Sequence, residues 1–181
     1  MADVSVRPAR ADDVPEIARI QLETWRTAYA RWLPEPVLTA VSAEQAGQLW
    51  RAAVTAPPTP RHRVLVAQEK DWRVGFAAFG PAAEEDRPDG ADPAGTGQVQ
   101  TILVEPRWGR RGHGSRLLAA VVDLMRADGV RTALAWLPDQ DTASLAFYGS
   151  AGWERDGYAR TLETDGLAIT EVRLHVSLEE P

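Results

Sequence analysis

The chain has no cysteine. That absence excludes a disulfide framework, a thiolate nucleophile and a thiolate-bound metal. Histidine is scarce, and His62, His113 and His175 lack the close spacing of a metal site, so no metal is expected. No apolar run approaches the length of a membrane span, and the N-terminus lacks the apolar core of a signal peptide. The default location is the cytoplasm, with no membrane partner. Positive charge is in the minority: 20 Lys and Arg stand against 26 Asp and Glu, a net charge of −6. That balance argues against a general nucleic-acid binder and weakly favours a cationic small substrate such as an amine. No internal repeat is visible.

What remains is an ordinary globular composition, 44% hydrophobic and 25% charged over 181 residues, which fits one soluble domain spanning 1–181. Val4 and Val6 alternate with polar neighbours in a short strand that Pro8 ends. Asp12 or Asp13 can cap a helix from about Val14 to Ala30. Pro34 and Pro36 punctuate. Ser42-Ala43-Glu44-Gln45 is a capping box that starts a second helix toward Val54. Arg63 to Gln68 and Trp72 to Gly80 read as strands joined by the turn Glu69-Lys70-Asp71. Pro81 to Gly97, rich in Pro, Gly, Ala and acid, reads as a mobile loop (81–97) between neighbouring strands. Gln98 to Val104 is the next strand. Ser115 to Asp128 carries an apolar stripe of Leu117, Leu118, Val121, Leu124 and Met125, and Gly129 stops that helix. A strand from Thr132 to Leu137, a helix from Asp141 to about Ala151, and strands from Trp153 to Leu162 and Leu167 to Leu178 complete the order. The last two are joined by the hairpin signal Thr164-Asp165-Gly166. The fold class is α/β: a mixed, mostly antiparallel twisted sheet of about seven strands flanked by about four helices.

The most informative stretch runs from Val104 to Leu118. A strand end becomes a turn with three glycines and four arginines, and the turn opens a helix. Helix starts expose unpaired backbone N–H groups and a partial positive charge. Glycines let such a backbone approach a ligand closely. The combination suits a phosphate or pyrophosphate. A P-loop is excluded because no lysine follows these glycines. A Rossmann fingerprint starting at Gly112 and Gly114 needs a third glycine where Leu117 stands.

The order of elements and this segment resemble the GNAT superfamily of N-acetyltransferases. The match is to the family's acetyl-CoA motif, a strand ending in Val-x-Pro followed by Arg/Gln-x-x-Gly-x-Gly/Ala. Gly112 and Gly114 fill the last two key positions, and Gly109 stands where Arg or Gln is usual. Asp141-Thr142-Ala143-Ser144-Leu145-Ala146-Phe147-Tyr148 through Gly152-Trp153 resembles the family's Asn-x-x-Ala-x-x-Phe/Leu-Tyr-x-x-x-Gly-Phe. Trp25-Arg26-Thr27-Ala28-Tyr29 followed by Leu33-Pro34 is similar to one bacterial branch.

The resemblance implies acetyl-CoA as cosubstrate and an amine as acceptor. The pyrophosphate would sit on the backbone of Gly109, Arg110, Arg111, Gly112, His113, Gly114 and Ser115. The pantetheine would pair with the strand at Ile102 and Val104, with an oxyanion donor near Leu103 or Val104. Tyr148 would protonate the departing thiolate; its bland reading is a half-buried aromatic. Asp141 replaces an Asn that hydrogen-bonds CoA, and it can only accept. Trp25 and Tyr29 would line the acceptor, although one helical turn also suits two core aromatics; Trp32 and Trp72 are further aromatic candidates. Many relatives carry a glutamate where Gln98 stands, and Gln98 takes no proton. Glu23, Glu84 or Glu85, or a water chain, would then serve as the base. The resemblance also allows a homodimer through the late strands. A non-catalytic acyl-CoA binder is the second reading.

Overall fold

The computed structural model describes residues 3–31, 33–164 and 167–179. Trp32 and the Asp165-Gly166 of the hairpin signal lie outside them. Twelve elements follow in order: β1 (Val4–Pro8), α1 (Val14–Ala28), α2 (Glu35–Leu38), α3 (Ala43–Thr55), β2 (Arg63–Glu69), β3 (Trp72–Pro81), β4 (Thr96–Val104), α4 (His113–Ala127), β5 (Thr132–Pro138), α5 (Thr142–Ser150), β6 (Glu154–Thr164) and β7 (Leu167–Ser177). The strands hydrogen-bond in the order β1-β2-β3-β4-β5-β7-β6. β4 and β5 are parallel, whereas β1/β2, β2/β3, β5/β7 and β6/β7 are antiparallel. The mixed seven-stranded sheet of the sequence reading is therefore present. Helix α2 was not foreseen: Pro34 and Pro36, read as stops, stand at its N-terminal end, where proline's fixed φ suits the first turn.

The chain divides into two units. The first comprises the residues through Phe79 together with Thr101–Asp123. Here α1 presents Ile17 and Ile20 to Val64 and Val66 of β2, Phe76 and Ala78 of β3, and Leu103 of β4. Full burial of each such aliphatic contributes about 1.5–3 kcal/mol. A second cluster, Ala18 and Leu22 with Ala46, joins α1 to α3. The capping box forms as read: Gln45 N–H donates to Ser42 Oγ at 3.1 Å and Ser42 N–H to Gln45 Oε1 at 2.9 Å. Trp50 of α3 meets Phe76 edge-on at 4.8 Å and donates its Nε1–H to Gln21 at 2.8 Å.

Asp13 differs in detail from the helix cap it was read as. Its side chain turns back to the Arg10 N–H at 2.8 Å instead of forward into α1, and accepts from Arg7 at 2.7 and 2.8 Å and from Arg73 at 2.9 Å. Burial alone would raise its carboxyl. Hydrogen bonds from Arg7, the Arg10 backbone and Arg73 outweigh that and hold it far below the usual carboxylate range. One buried charge thus ties β1, β3 and the entry to α1.

The second unit comprises Gly80–Gln100 and the residues from Leu124 onward. Its parallel ladder joins Thr96–Val99 to Thr132–Ala135. The acid-rich segment 81–97 carries a 3-10 turn, Glu84–Asp86, and starts β4 at Thr96, two residues earlier than read. Two of its acids are not simply solvated. Buried Asp86 accepts from Arg160 at 2.7 Å, while its carbonyl accepts from Arg173 at 2.9 Å. Asp92 accepts from Arg131 at 2.8 Å. Arg173 also donates to Asp156 at 2.6 Å, and its guanidinium stacks 4.0 Å from the Tyr158 ring centroid.

Candidate active site

The end of β4 reaches its turn along β3. The Glu105 N–H donates to the Val74 carbonyl at 2.9 Å. Next to it, Gly75 lets the two strands approach: a Cβ there would stand 2.7 Å from the Leu103 carbonyl oxygen and 3.2 Å from the Val104 Cα. Alternation along β4 sends the Leu103 side chain into the first unit's core and puts Ile102 and Val104 on the opposite face.

Glu105 is 2% exposed. It accepts from Arg19 of α1 at 2.9 Å and pairs with Arg107. Glu105, with Glu16 adding to it, holds the Arg19 guanidinium above its ordinary range. The chain then makes a 3-10 turn, Pro106–Trp108. Trp108 N–H bonds to the Glu105 carbonyl at 2.8 Å, and Gly109 N–H to the Pro106 carbonyl at 3.0 Å. The Gly109 N–H already has an internal partner, so the row of candidate donors starts at Arg110.

Arg110 (φ 62°) and Gly112 (φ 79°) are both left-handed. For arginine that conformation is uncommon and costs energy, so the surrounding structure must impose it. The first bond of α4 runs from Arg116 N–H to the Gly112 carbonyl at 3.1 Å. The N–H groups of His113, Gly114 and Ser115 therefore sit in the first turn, beyond reach of an intrahelical acceptor. Alternating backbone hands ahead of a helix start make a concave row of donors that suits an anion.

The His113 side chain does not join that row. It is 2% exposed, and its Nε2 lies 2.9 Å from Glu69 Oε2. Arg111 reaches Glu69 Oε1 at 3.3 Å and lies 4.9 Å from the Trp108 ring centroid. Arg116 donates back to the Arg111 carbonyl at 2.9 Å.

In the second unit, Tyr148 of α5 is 3% exposed and packs edge-on between Phe147 (5.3 Å) and Trp153 (5.0 Å). Asp141 is the N-cap of α5 and accepts from Ser144 N–H at 3.1 Å, which occupies one carboxylate oxygen. Gln98 is half-buried and lies in register with Leu134.

On α1, Trp25 packs against the first unit's core, with Tyr29 at 6.4 Å between ring centroids. Glu23 points elsewhere. It lines a groove of about 700 Å³ between α1 and α3, and Arg19 binds its carboxylate at 2.6 Å. The described residues contain no cluster of three or more His, Asp or Glu side chains able to hold a metal. Among them, no helix is long and apolar enough to cross a membrane.

The sequence profile of the acetyltransferase (GNAT) family matches residues 17–153, which include the turn and reach Trp153. The chain belongs to the GNAT acetyltransferase family. It is similar to YuaI of Bacillus subtilis (strain 168), described as an uncharacterized N-acetyltransferase, with 28% identity over 172 residues, 94% of this chain and 88% of that protein. Its fold is similar to that of YncA from Salmonella typhimurium, solved with its cofactor acetyl-CoA (TM-score 0.71, 20% identity, 98% of this chain and 95% of that one). The PaiA N-acetyltransferase of Thermoplasma acidophilum, solved with coenzyme A, is also similar (TM-score 0.73, 14% identity, 97% and 99% covered). Family membership makes this chain an acyl-CoA-dependent acyltransferase.

Three residues that support this turn and the end of β4 escaped the sequence reading: Gly75, Glu69 and Glu105. Gly75 carried a signal, an isolated glycine inside an apolar strand, which marks a close backbone approach. Glu105 stood beside the motif but had no visible partner. Glu69 was read only as part of a hairpin turn.

Proposed function

We propose that this enzyme transfers the acetyl group of acetyl-CoA to a primary amine of a small molecule or peptide. The observation that carries the reading is the turn at the start of α4, where left-handed Arg110 and Gly112 precede the first-turn N–H groups of His113, Gly114 and Ser115. The N–H groups from Arg110 to Ser115 hold the pyrophosphate. The backbone of Ile102 and Val104 pairs with the pantetheine amides, and Asp141 accepts from a CoA donor with its remaining oxygen. Trp25 and Tyr29 form an aromatic wall for the acceptor.

The neutral amine attacks the thioester carbonyl, a C–N bond forms, and the resulting oxyanion receives the backbone N–H of Leu103 or Val104. The C–S bond then breaks, and the thiolate takes its proton from Tyr148. The proton lost by the amine goes to water, and Tyr148 regains its own from water, so the turnover closes with no net proton. Gln98 has no basic site for the amine proton, and the Glu23 carboxylate is ion-paired with Arg19 through Oε2 at 2.6 Å.

A thiol-release assay with acetyl-CoA over a panel of amines and peptides tests this. Turnover with at least one primary amine is expected. No thiol release with any amine, while acetyl-CoA still raises Tm, would replace the transferase by an acyl-CoA binder. Glu23→Gln is expected to keep kcat within about threefold of the parent, well short of the 10²–10⁴-fold contribution of a general base. A larger loss returns Glu23 to the proton path.

A further inference from the structure

We infer that Glu69, at the end of β2, is the positioning residue that holds the acetyl-CoA turn in its binding shape, acting through His113 and Arg111. The inference rests on the acetyl-CoA reading above and adds a residue that lies outside both motifs.

The turn needs a brace. Gly109 leaves the first key position of the motif without a side chain, and Arg110 holds a left-handed backbone that a free arginine would leave. Glu69 supplies one contact on each side of left-handed Gly112. Its Oε1 accepts from Arg111 at 3.3 Å, just before that glycine, and its Oε2 meets His113 Nε2 at 2.9 Å, just after it. Two anchors across so short a span restrict the dihedrals between them. Arg116 closes the arrangement from the helix side by donating to the Arg111 carbonyl at 2.9 Å. Trp108 fills the space between the anchors, with Arg111 4.9 Å from its centroid and His113 edge-on at 6.4 Å.

The brace stands on a firm base. Glu69 pairs with Val4 of β1 and with Trp72 of β3. The following Lys70 N–H bonds to the Asp3 carbonyl at 2.8 Å. Three strands therefore fix the carboxylate before any ligand arrives. A bare carboxylate beside a phosphate site would repel the ligand. Glu69 directs both oxygens at protein groups instead, Oε1 at Arg111 and Oε2 at His113. A turn already ordered binds its ligand without the entropy of ordering it first.

Glu69→Ala is expected to raise the Kd for CoA, measured by calorimetry, about 10- to 30-fold. The KM for acetyl-CoA should rise in parallel, with kcat within about threefold and the amine KM unchanged. Turnover of S-acetylpantetheine, which lacks the pyrophosphate, should not change. Glu69→Gln keeps an acceptor for His113 and should recover most of the affinity. His113→Leu, which removes the ring nitrogens, should resemble Glu69→Ala, and the double variant should be no weaker than either single change, as residues acting as one unit are not additive. The inference is overturned if Glu69→Ala binds CoA as tightly as the parent, or if S-acetylpantetheine turnover falls equally, which would mark a general packing role. If Glu69→Ala does not fold, full CoA affinity in His113→Leu overturns it. Because calorimetry needs no acceptor, these results stand apart from the amine assay; a parent protein that binds no CoA would fail the acetyl-CoA reading instead.

Discussion

Tyr148→Phe is expected to lower kcat by about 10²-fold, at the low end of the 10²–10⁴-fold that a positioned general acid contributes. The low end applies because the leaving group is a thiolate, far less basic than an alkoxide, so it departs without full proton transfer. The change removes one oxygen and keeps the ring. That ring packs edge-on against Phe147 and Trp153, so the α5 packing survives and Tm should change little; the lost hydroxyl contact is worth about 1 kcal/mol. The affinity for CoA should be unchanged, because the donors proposed to hold the pyrophosphate lie in the other unit. The measurement is steady-state kcat together with CoA binding on the same preparation. Unchanged kcat would remove Tyr148 from the chemistry and leave it as a core aromatic. Loss of CoA affinity equal to the loss of kcat would make it a packing residue for the cofactor instead.

The parts of the fold that were legible in the sequence are those decided locally. The capping box at Ser42 works through backbone and side-chain atoms three residues apart, and the structure forms it as read. The apolar spacing of α1 places Ile17 and Ile20 on one face, and that face is buried. Where one residue type serves two local roles, the reading was incomplete: Pro34 and Pro36, read as punctuation, stand at the start of α2. The strand, turn and helix start of the candidate site were legible where the motif is contiguous, from Val104 to Ser115, and their supports were silent where they come from afar. Glu69 meets His113 across 44 positions, and Arg19 meets Glu105 across 86. Periodicity carries no trace of such pairs, because each partner alone looks like a surface charge. The same blindness affects Asp86, read as one acid of a loop yet buried against Arg160 across 74 positions. It also affects Glu23, whose place on α1 was clear while its partner, Arg19, and the groove it faces were not.

Gly75→Ala is expected to damage both stability and catalysis, and the cause is backbone rather than side chain. The new Cβ would lie 2.7 Å from the Leu103 carbonyl oxygen, 3.1 Å from a Val104 methyl and 3.2 Å from its Cα. No rotamer relieves a clash with main-chain atoms, so β4 must move away from β3 just ahead of the turn proposed to bind acetyl-CoA. Overpacking of this kind costs about 1–3 kcal/mol, which should appear as a lower Tm and a lower denaturant midpoint. The functional cost should be larger than the stability cost suggests. Leu103 and Val104 carry the candidate oxyanion donor, and displacing a reacting group by about 1 Å costs on the order of 10²-fold. The expected result is therefore kcat/KM for acetyl-CoA reduced about 10²-fold, mostly in kcat, because the oxyanion forms only on the way to product. Gly47→Ala in α3 is the matched control. A Cβ there meets nothing within 4 Å, and alanine in a helix interior is favoured over glycine by about 1 kcal/mol, so stability should hold or rise with kcat intact. A Gly75→Ala protein with parental Tm and parental kcat/KM would show that β4 can shift without disturbing the donor, and would move the oxyanion site away from Leu103 and Val104.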